Sequence, residues 1–366
     1  MTTTHTTAHA TPSDTFRAFA TGQAAGNSPL YAHLAAVIAD TPPLLALADK
    51  ARAGQPRPNM LLGAVHYLVG KHPCHPLARY YDGTVRAEAD LDGAADALLA
   101  FCTRWESQIA EQLAIRSVQT NEVRRASVLL PAFAEIQRHT DATIRVIDIG
   151  SSAGLTLLWP YYRYHYTDIP GDTPTDTTVV FPSSTGLELE CQPRGQLPPL
   201  EVDPQRFADP IGVERDPVDL TDPDTCDWLE ALCWPEQVER RRLLSEAIAV
   251  ARAHPPRIIG GDAAELLPRL IEQTPADETV CVVCCWSIYQ VYGTPGGRQR
   301  LITQLAEASR TRPVFEVSIG HFGHSVPSMV LAHHHDGTHH DHIAADCDVY
   351  GRWIDWHTTE GAPTCL

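Results

Sequence analysis

The feature that most constrains this chain is a change of period near residue 143. Up to about Thr140, apolar residues recur at three- and four-residue steps, the mark of packed amphipathic helices. Then IRVIDIG, from Ile144 to Gly150, forms a short run rich in β-branched residues. It ends in Gly150-Ser151-Ser152-Ala153-Gly154 and leads into LTLLWPYYRY, which reads as strand, tight turn and helix. Four further runs read as buried strands: IGVER from Ile211, PRIIGGD from Pro256, TVCVVCCW from Thr279 and RPVFEVSIG from Arg312. Helical patterns separate them, starting at Asp222, Pro235, Ala263 and Arg298. Alternation of strand and helix predicts an α/β domain with a parallel sheet covered on both faces.

The chain divides accordingly. Residues 1–15 lack a basic or strongly apolar segment and read as a disordered leader rather than a secretory signal. Residues 16–140 read as a helical N-terminal domain, and 141–366 as the α/β domain. Within the latter, about 159–210 is extra material whose TTVVF and LELECQ runs suggest an inserted hairpin. SMVLAHHHDGTHHDHIAAD reads as a C-terminal antiparallel hairpin turning at Asp336-Gly337. No apolar stretch reaches the roughly 18 residues of a membrane span. The ten cysteines stand mostly alone in apolar contexts, which suits reduced thiols and a cytoplasmic location. The 29 prolines are spread along the chain as punctuation, with Pro210 and Pro217 expected to bracket the second strand. The formal charge of −17 makes nucleic acid and anionic membrane poor partners, and favours a small, neutral or cationic acceptor.

The turn from Asp148 to Gly154 is the first candidate site. Small residues let a ligand approach the backbone, and the helix expected after the turn would offer free N–H groups. It is not the Gly-x-Gly-x-x-Gly dinucleotide fingerprint. It resembles the acidic-x-Gly-x-Gly-x-Gly turn of S-adenosylmethionine methyltransferases, with Ser152 in place of the middle glycine. The resemblance implies that Gly150, Ser151, Ser152 and Gly154 surround the methionine end of the cofactor and that Asp148 orients its ammonium. At the end of the next strand Glu214 aligns best as the ribose acceptor, with Asp216 as rival, although it follows Gly154 by some 60 residues where about 20 are usual. Asp262 and Ala263 follow the third strand. There Asp262 either accepts from the adenine amino group or caps the following helix, and the two roles are compatible. A parallel sheet closed by an antiparallel hairpin is the arrangement of class I methyltransferases. The expected fold is therefore a Rossmann-like class I methyltransferase domain behind a helical N-terminal domain.

Other groups admit two readings each. Gln119, Asn121 and Glu122 precede the first strand, where they suit a polar substrate, or else Thr120 or Asn121 caps the following helix. Ser287 and Tyr289 end the fourth strand and are candidate pocket groups. The run Trp159 to Tyr166 suits packing on the sheet better than a cation cage. Cys281-x-x-Cys284 lies in a continuously apolar run and reads as buried thiols, not as a zinc or redox pair. The histidines from His333 to His342 sit at a hairpin tip expected to face solvent, and no physiological metal is assigned to them. No Gly-x-Ser-x-Gly elbow or phosphate loop is present.

Over most of Pro29 to Trp356 the chain resembles the uncharacterised bacterial proteins called domain of unknown function 2332. The matching stretches are LLGAVHYLV, SVQTNEVRRASVLLP, VIDIGSSAGLTLLWPYYRY, IGVERDPVDLTDPDTCDWLEALCWPEQVERRRLL, GGDAAELLP and YGRWIDW. The resemblance implies the methyltransferase-like fold and supplies no reaction. The leading expectation is an S-adenosylmethionine-dependent methyltransferase acting on a small molecule. The alternatives are a non-catalytic binder of that cofactor or another nucleoside, and a metal-assisted enzyme using the histidine hairpin.

Overall fold

The computed structural model describes residues 11–167, 176–287, 296–323 and 325–357. They form two compact units: residues 1–120 with 222–242, and residues 121–221 with 243–366.

The first unit is helical: α1 (Pro12–Thr21), α2 (Pro29–Ala39), α3 (Pro42–Ala48), α4 (Arg57–Lys71), α5 (Ala94–Arg104), α6 (Glu106–Ile115) and α8 (Pro223–Ala231). Proline opens the first turn of five of these, where its missing N–H costs nothing and its fixed φ suits the helix. Thr11 closes a capping box with Asp14, so α1 begins inside the stretch expected to be leader. α4 is buried on nearly every side, from Met60 to Val69, and forms the middle of the unit. Residues 222–242, expected in the α/β domain, belong here. Glu236 accepts from the Ser28 hydroxyl at 2.7 Å and from Leu30 N–H at 2.9 Å, and Trp228 donates to Ser117 O at 2.9 Å. Asp224 pairs with Arg116 and accepts from Tyr67. Among the described residues no single helix is long and apolar enough to cross a membrane.

The second unit is a mixed α/β structure with one large, mostly parallel sheet. Its strands are β1 (Thr143–Ile149), β2 (Arg163–Thr167), β3 (Asp176–Val179), β4 (Glu188–Arg194), β5 (Phe207–Glu214), β6 (Arg257–Gly260), β7 (Glu278–Cys285), β8 (Val314–Gly320), β9 (Ser328–His335), β10 (Thr338–Cys347) and β11 (Trp353–Trp356). Their spatial order is β3-β2-β4-β11-β10-β9-β8-β7-β1-β5-β6. The five strands at one end of the sheet, β8, β7, β1, β5 and β6, are mutually parallel, with β6 at the edge. β1, β7 and β8 are buried along nearly their whole length, as their unbroken apolar runs require. α10 (Ala263–Gln273) and α11 (Gly297–Ala308) lay Leu267, Leu270, Leu301 and Leu305 on Ile147, Val213, Val280 and Val282. α7 (Arg125–Ile136) is buried on most sides, and α9 spans Val238–Ala253.

The predicted hairpin of β9 and β10 is present, turning at Asp336 with φ +50° and Gly337 with φ +79°. Three expectations change. Within 159–210 the TTVVF and LELECQ runs do not pair with each other: β3 pairs antiparallel with the preceding strand β2, while β4 lies parallel to β2 and continues the sheet beside β11. Pro210 lies inside β5, not at its edge, where the register against β1 slips between Arg145 and Ile147. A residue without an N–H is tolerated at such a bulge. After the glycine turn, Leu155–Tyr161 is a kinked 3₁₀ segment rather than an α-helix, because Pro160 removes a donor and the chain turns at once into β2.

Candidate functional site

The turn after β1 has an alternating left-handed backbone: Gly150 at φ +76°, Ser152 at +53° and Gly154 at +70°. The serine thus adopts the conformation that the resemblance assigns to a glycine. The turn is also tightly enclosed. A Cβ on Gly150 would lie 2.3 Å from the Cβ of Ser287, and one on Gly154 about 3.0 Å from Pro256. The N–H groups of Gly150 and Ser151 donate to Val213 O at 2.8 and 3.2 Å, and that of Gly154 to Ser151 O at 2.8 Å. The N–H of Ser152 donates to Glu214 Oε2 at 2.8 Å, and that of Ala153 to Asn121 Oδ1 at 3.1 Å. Every backbone donor of the turn is therefore spent inside the protein. With a 3₁₀ segment following instead of a helix, the turn has no free amides to cradle a phosphate.

Carboxylates dominate the neighbouring strand ends. Asp148 is 3% exposed near the end of β1, and its Oδ2 accepts from the Thr156 hydroxyl at 2.9 Å. Burial pushes its carboxyl up to about 7; the Thr156 bond opposes the shift and the charge of Glu214 adds to it. Glu214 ends β5, and its Oε1 also accepts from Asp216 N–H at 3.2 Å. Asp262 stands beyond β6 and caps α10 by accepting from Ala264 N–H at 2.9 Å; Arg215 lies 3.1 Å from its other oxygen. Ala263 is the buried first residue of that helix. The register sets Ile149 beside Val213 and Glu214 beside Gly260, so Asp148, Glu214 and Asp262 belong to the carboxyl ends of three adjacent strands. Each ionised carboxylate offers about four lone-pair directions, so those of Glu214 and Asp262 retain acceptor capacity beyond the bonds they make.

On the other side of β1, β7 ends at Cys285, and Trp286 follows with φ +66°, a conformation costly for a bulky residue. The Trp286 ring lies 5.2 Å from that of His321, edge to face, and the Arg125 guanidinium lies 5.4 Å from its centroid. Asn121 does not cap a helix: α7 starts at Arg125 without a side-chain cap, and the Asn121 carbonyl holds the glycine turn instead. Asn121 and Glu122 are buried in the second unit, whereas Gln119 belongs to the first. Asn121 Nδ2, Ser151 Oγ, Ser287 Oγ and Trp286 Nε1 are buried without a hydrogen-bond partner among the described residues. Tyr289 lies outside the described residues.

The sequence reading missed Trp286 and Arg125. A left-handed tryptophan leaves no signal in a strand-like run, although its place at the end of the fourth parallel strand was a pointer. The aromatic run is structural: Trp159, Tyr162, Tyr164 and Tyr166 are fully buried, and the three hydroxyls donate to Leu155 O, Trp159 O and Ser127 O. The nine described cysteines are free, and burial holds the Cys281, Cys284 and Cys285 thiols well above their ordinary range. The histidine hairpin is less exposed than expected. His334 is fully buried with its Nε2 3.5 Å from the buried Glu316, which Arg298 and Ser318 also hold, and His333 stacks on Phe315. His165, Glu188 and Glu190, on β2 and β4, bring possible ligand atoms within 4.8 Å of one another. His165 already meets Asp176 at 2.6 Å.

No curated protein and no solved structure matches this chain. A family model described as an uncharacterized protein conserved in bacteria (DUF2332) matches residues 13–356, and the chain belongs to that family.

Proposed function

We propose that this protein is a cytoplasmic S-adenosylmethionine-dependent methyltransferase acting on a small molecule, with a Rossmann-like methyltransferase domain as its second unit. The observation that carries the reading is the set of carboxylates Asp148, Glu214 and Asp262 on three adjacent strand ends beside a turn left-handed at positions 150, 152 and 154. Five parallel strands bordered by an antiparallel pair agree with that architecture.

The donor set fits this cofactor better than a dinucleotide. A pyrophosphate needs free amides, and the turn has none to offer. An ammonium and a ribose diol need acceptors, which Asp148 and Glu214 supply. Asp262 and Ala263 would take the adenine, with the spare Asp262 lone pairs facing its amino group. Asp148 carries a proton about half the time at neutral pH, and a cation beside it would drive that proton off. Glu214 is fixed by two backbone N–H groups and so meets a diol in one orientation.

When bound, the cofactor supplies an electrophilic methyl group: the acceptor's lone pair forms the new bond to carbon, the sulfur–carbon pair stays on sulfur as a neutral thioether, and any proton on the acceptor atom leaves it. The protein's contribution is positioning in line and exclusion of water. Calorimetric titration with S-adenosylmethionine tests the reading. Saturable heat that Asp148→Asn and Glu214→Gln each weaken at least tenfold is expected. No heat with the intact protein would end it.

A further inference from the structure

We propose that the acceptor is a carboxylate-bearing small molecule, seated where β1 and β7 part, with its carboxylate on the Arg125 guanidinium and the indole N–H of Trp286. This rests on the methyl-transfer reading above and names its substrate class.

After β1 the chain visits β2, β3 and β4 at the far end of the sheet, then forms β5 and β6 on one side of β1 and β7 and β8 on the other. In an open parallel sheet the strand ends on either side of that reversal enclose a crevice where ligands bind. Here the crevice is bounded by the glycine turn and by Cys285, Trp286 and Ser287, with Ser287 packed directly on Gly150.

The two sides of β1 differ in chemistry. Toward β5 and β6 the polar groups are carboxylates. Toward β7 the buried polar atoms lacking partners include three donors: Trp286 Nε1, Asn121 Nδ2 on a residue 8% exposed, and the hydroxyl of Ser287 on a residue 4% exposed, with the Glu122 carboxylate on the same side. Buried donors without acceptors are rare in folded proteins and ask for a ligand rich in lone pairs. A carboxylate is the richest such group among small metabolite functions.

Arg125 adds the charge. Its Nε is fixed on Val349 O at 2.9 Å, and it also bonds the Cys285 thiol. Among the described residues no carboxylate forms an ion pair with it, so part of its fork remains for a ligand anion. The carboxylates that act on the same Cys285 are Glu122 and Asp148; Glu122 also feels Arg352, and Asp148 is assigned to the cofactor's ammonium. Trp286 is held in a left-handed conformation between Arg125 and His321, and such strain is kept where a side chain must be aimed. Total charge favours cations, but local groups such as the Arg125 guanidinium decide what binds at contact distance.

The test combines binding with transfer. A small-molecule extract is split on an anion-exchange resin at neutral pH, and each fraction is incubated with the full-length protein and methyl-labelled S-adenosylmethionine. Label is expected in products from the retained, acidic fraction. Arg125→Leu should leave the calorimetric affinity for S-adenosylmethionine within about threefold. It should raise the acceptor's KM roughly 10- to 100-fold, as loss of a charge-assisted bond does. Arg125→Lys, which keeps the charge but not the fork, should fall between and guards against a folding defect in the leucine variant. Label only from the unretained fraction, or wild-type transfer by Arg125→Leu with cofactor binding intact, overturns the proposal alone. Absence of S-adenosylmethionine binding by the unaltered protein overturns it together with the methyltransferase reading.

Discussion

At Asp148 the chain keeps a carboxyl group almost wholly buried, and the consequence can be given a sign. In the unfolded chain this group titrates near 3.8; in the folded protein it titrates at about 7. Between those values the unfolded chain has released the proton and the folded one has not. Stability therefore falls as pH rises from about 4 to about 7, and above that the penalty is constant, on the order of 4 kcal/mol. Asp148→Asn removes the penalty. In urea titrations it should stabilise the protein by about 1–3 kcal/mol at pH 8 and by almost nothing at pH 4. Equal gains at both values would contradict the raised titration. A cation bound at Asp148 reverses the shift, so S-adenosylmethionine affinity should rise with pH between about 5 and 7.5. Calorimetry in buffers of different ionisation enthalpy should then record up to one proton released near pH 6. At Ser152 a Cβ-bearing residue is held at φ +53°, which costs about 1 kcal/mol relative to glycine. Ser152→Gly should leave stability unchanged or raise it by up to about 1 kcal/mol, with the cofactor still bound. Both positions were legible, because an acid and a small-residue turn at a strand end have few other uses. The proton on Asp148 was not, since burial is a property of the fold and not of the residue.

The elements on either side of β1 were readable for a different reason. Strands buried on both faces must be written as continuous apolar runs, and β7 and β8 appear where such runs stand. Local sequence failed where a distant partner decides the outcome. TTVVF and LELECQ look like two arms of a hairpin, yet each finds its partner in β2. LTLLWPYY has a helical pattern but is cut short by Pro160 and the immediate need to enter β2. The contact between the turn after β1 and the end of β7 is likewise invisible in sequence. Gly150 is required there twice, by its positive φ and by the proximity of Ser287. Gly150→Ala should destabilise the protein by about 2–4 kcal/mol, read from urea midpoints. Adding Ser287→Gly should recover only the steric part, because the backbone strain remains. Full recovery by the second change would mean that strain contributes nothing.

For the whole molecule, the division into units could not be read along the chain. A change of period near residue 143 suggested one boundary, but the helical unit ends at Thr120 and takes back residues 222–242. The signal missed was physical rather than compositional: Glu236 satisfies the buried Ser28 hydroxyl and the Leu30 N–H some 200 residues away in sequence. Glu236→Ala leaves both without an acceptor and should cost about 2–4 kcal/mol. The aromatic contacts of the returning segment make a stronger test. Trp234 packs against Phe19 and Tyr31, each with ring centroids 5.8 Å apart, and Trp228 lies 6.1 Å from Tyr67. All these partners belong to residues 1–120. A chain shortened to residues 121–366 therefore keeps every strand of the sheet but strips Trp228 and Trp234 of their partners. Exposed aromatics of that size drive association, so light scattering after size exclusion should find this chain aggregated. Replacing residues 222–242 in the same shortened chain with a flexible Gly/Ser linker of about ten residues should restore a monomer. A soluble monomer from the unmodified 121–366 chain would show that the returning segment is held by something other than the helices it packs with, and would refute the division.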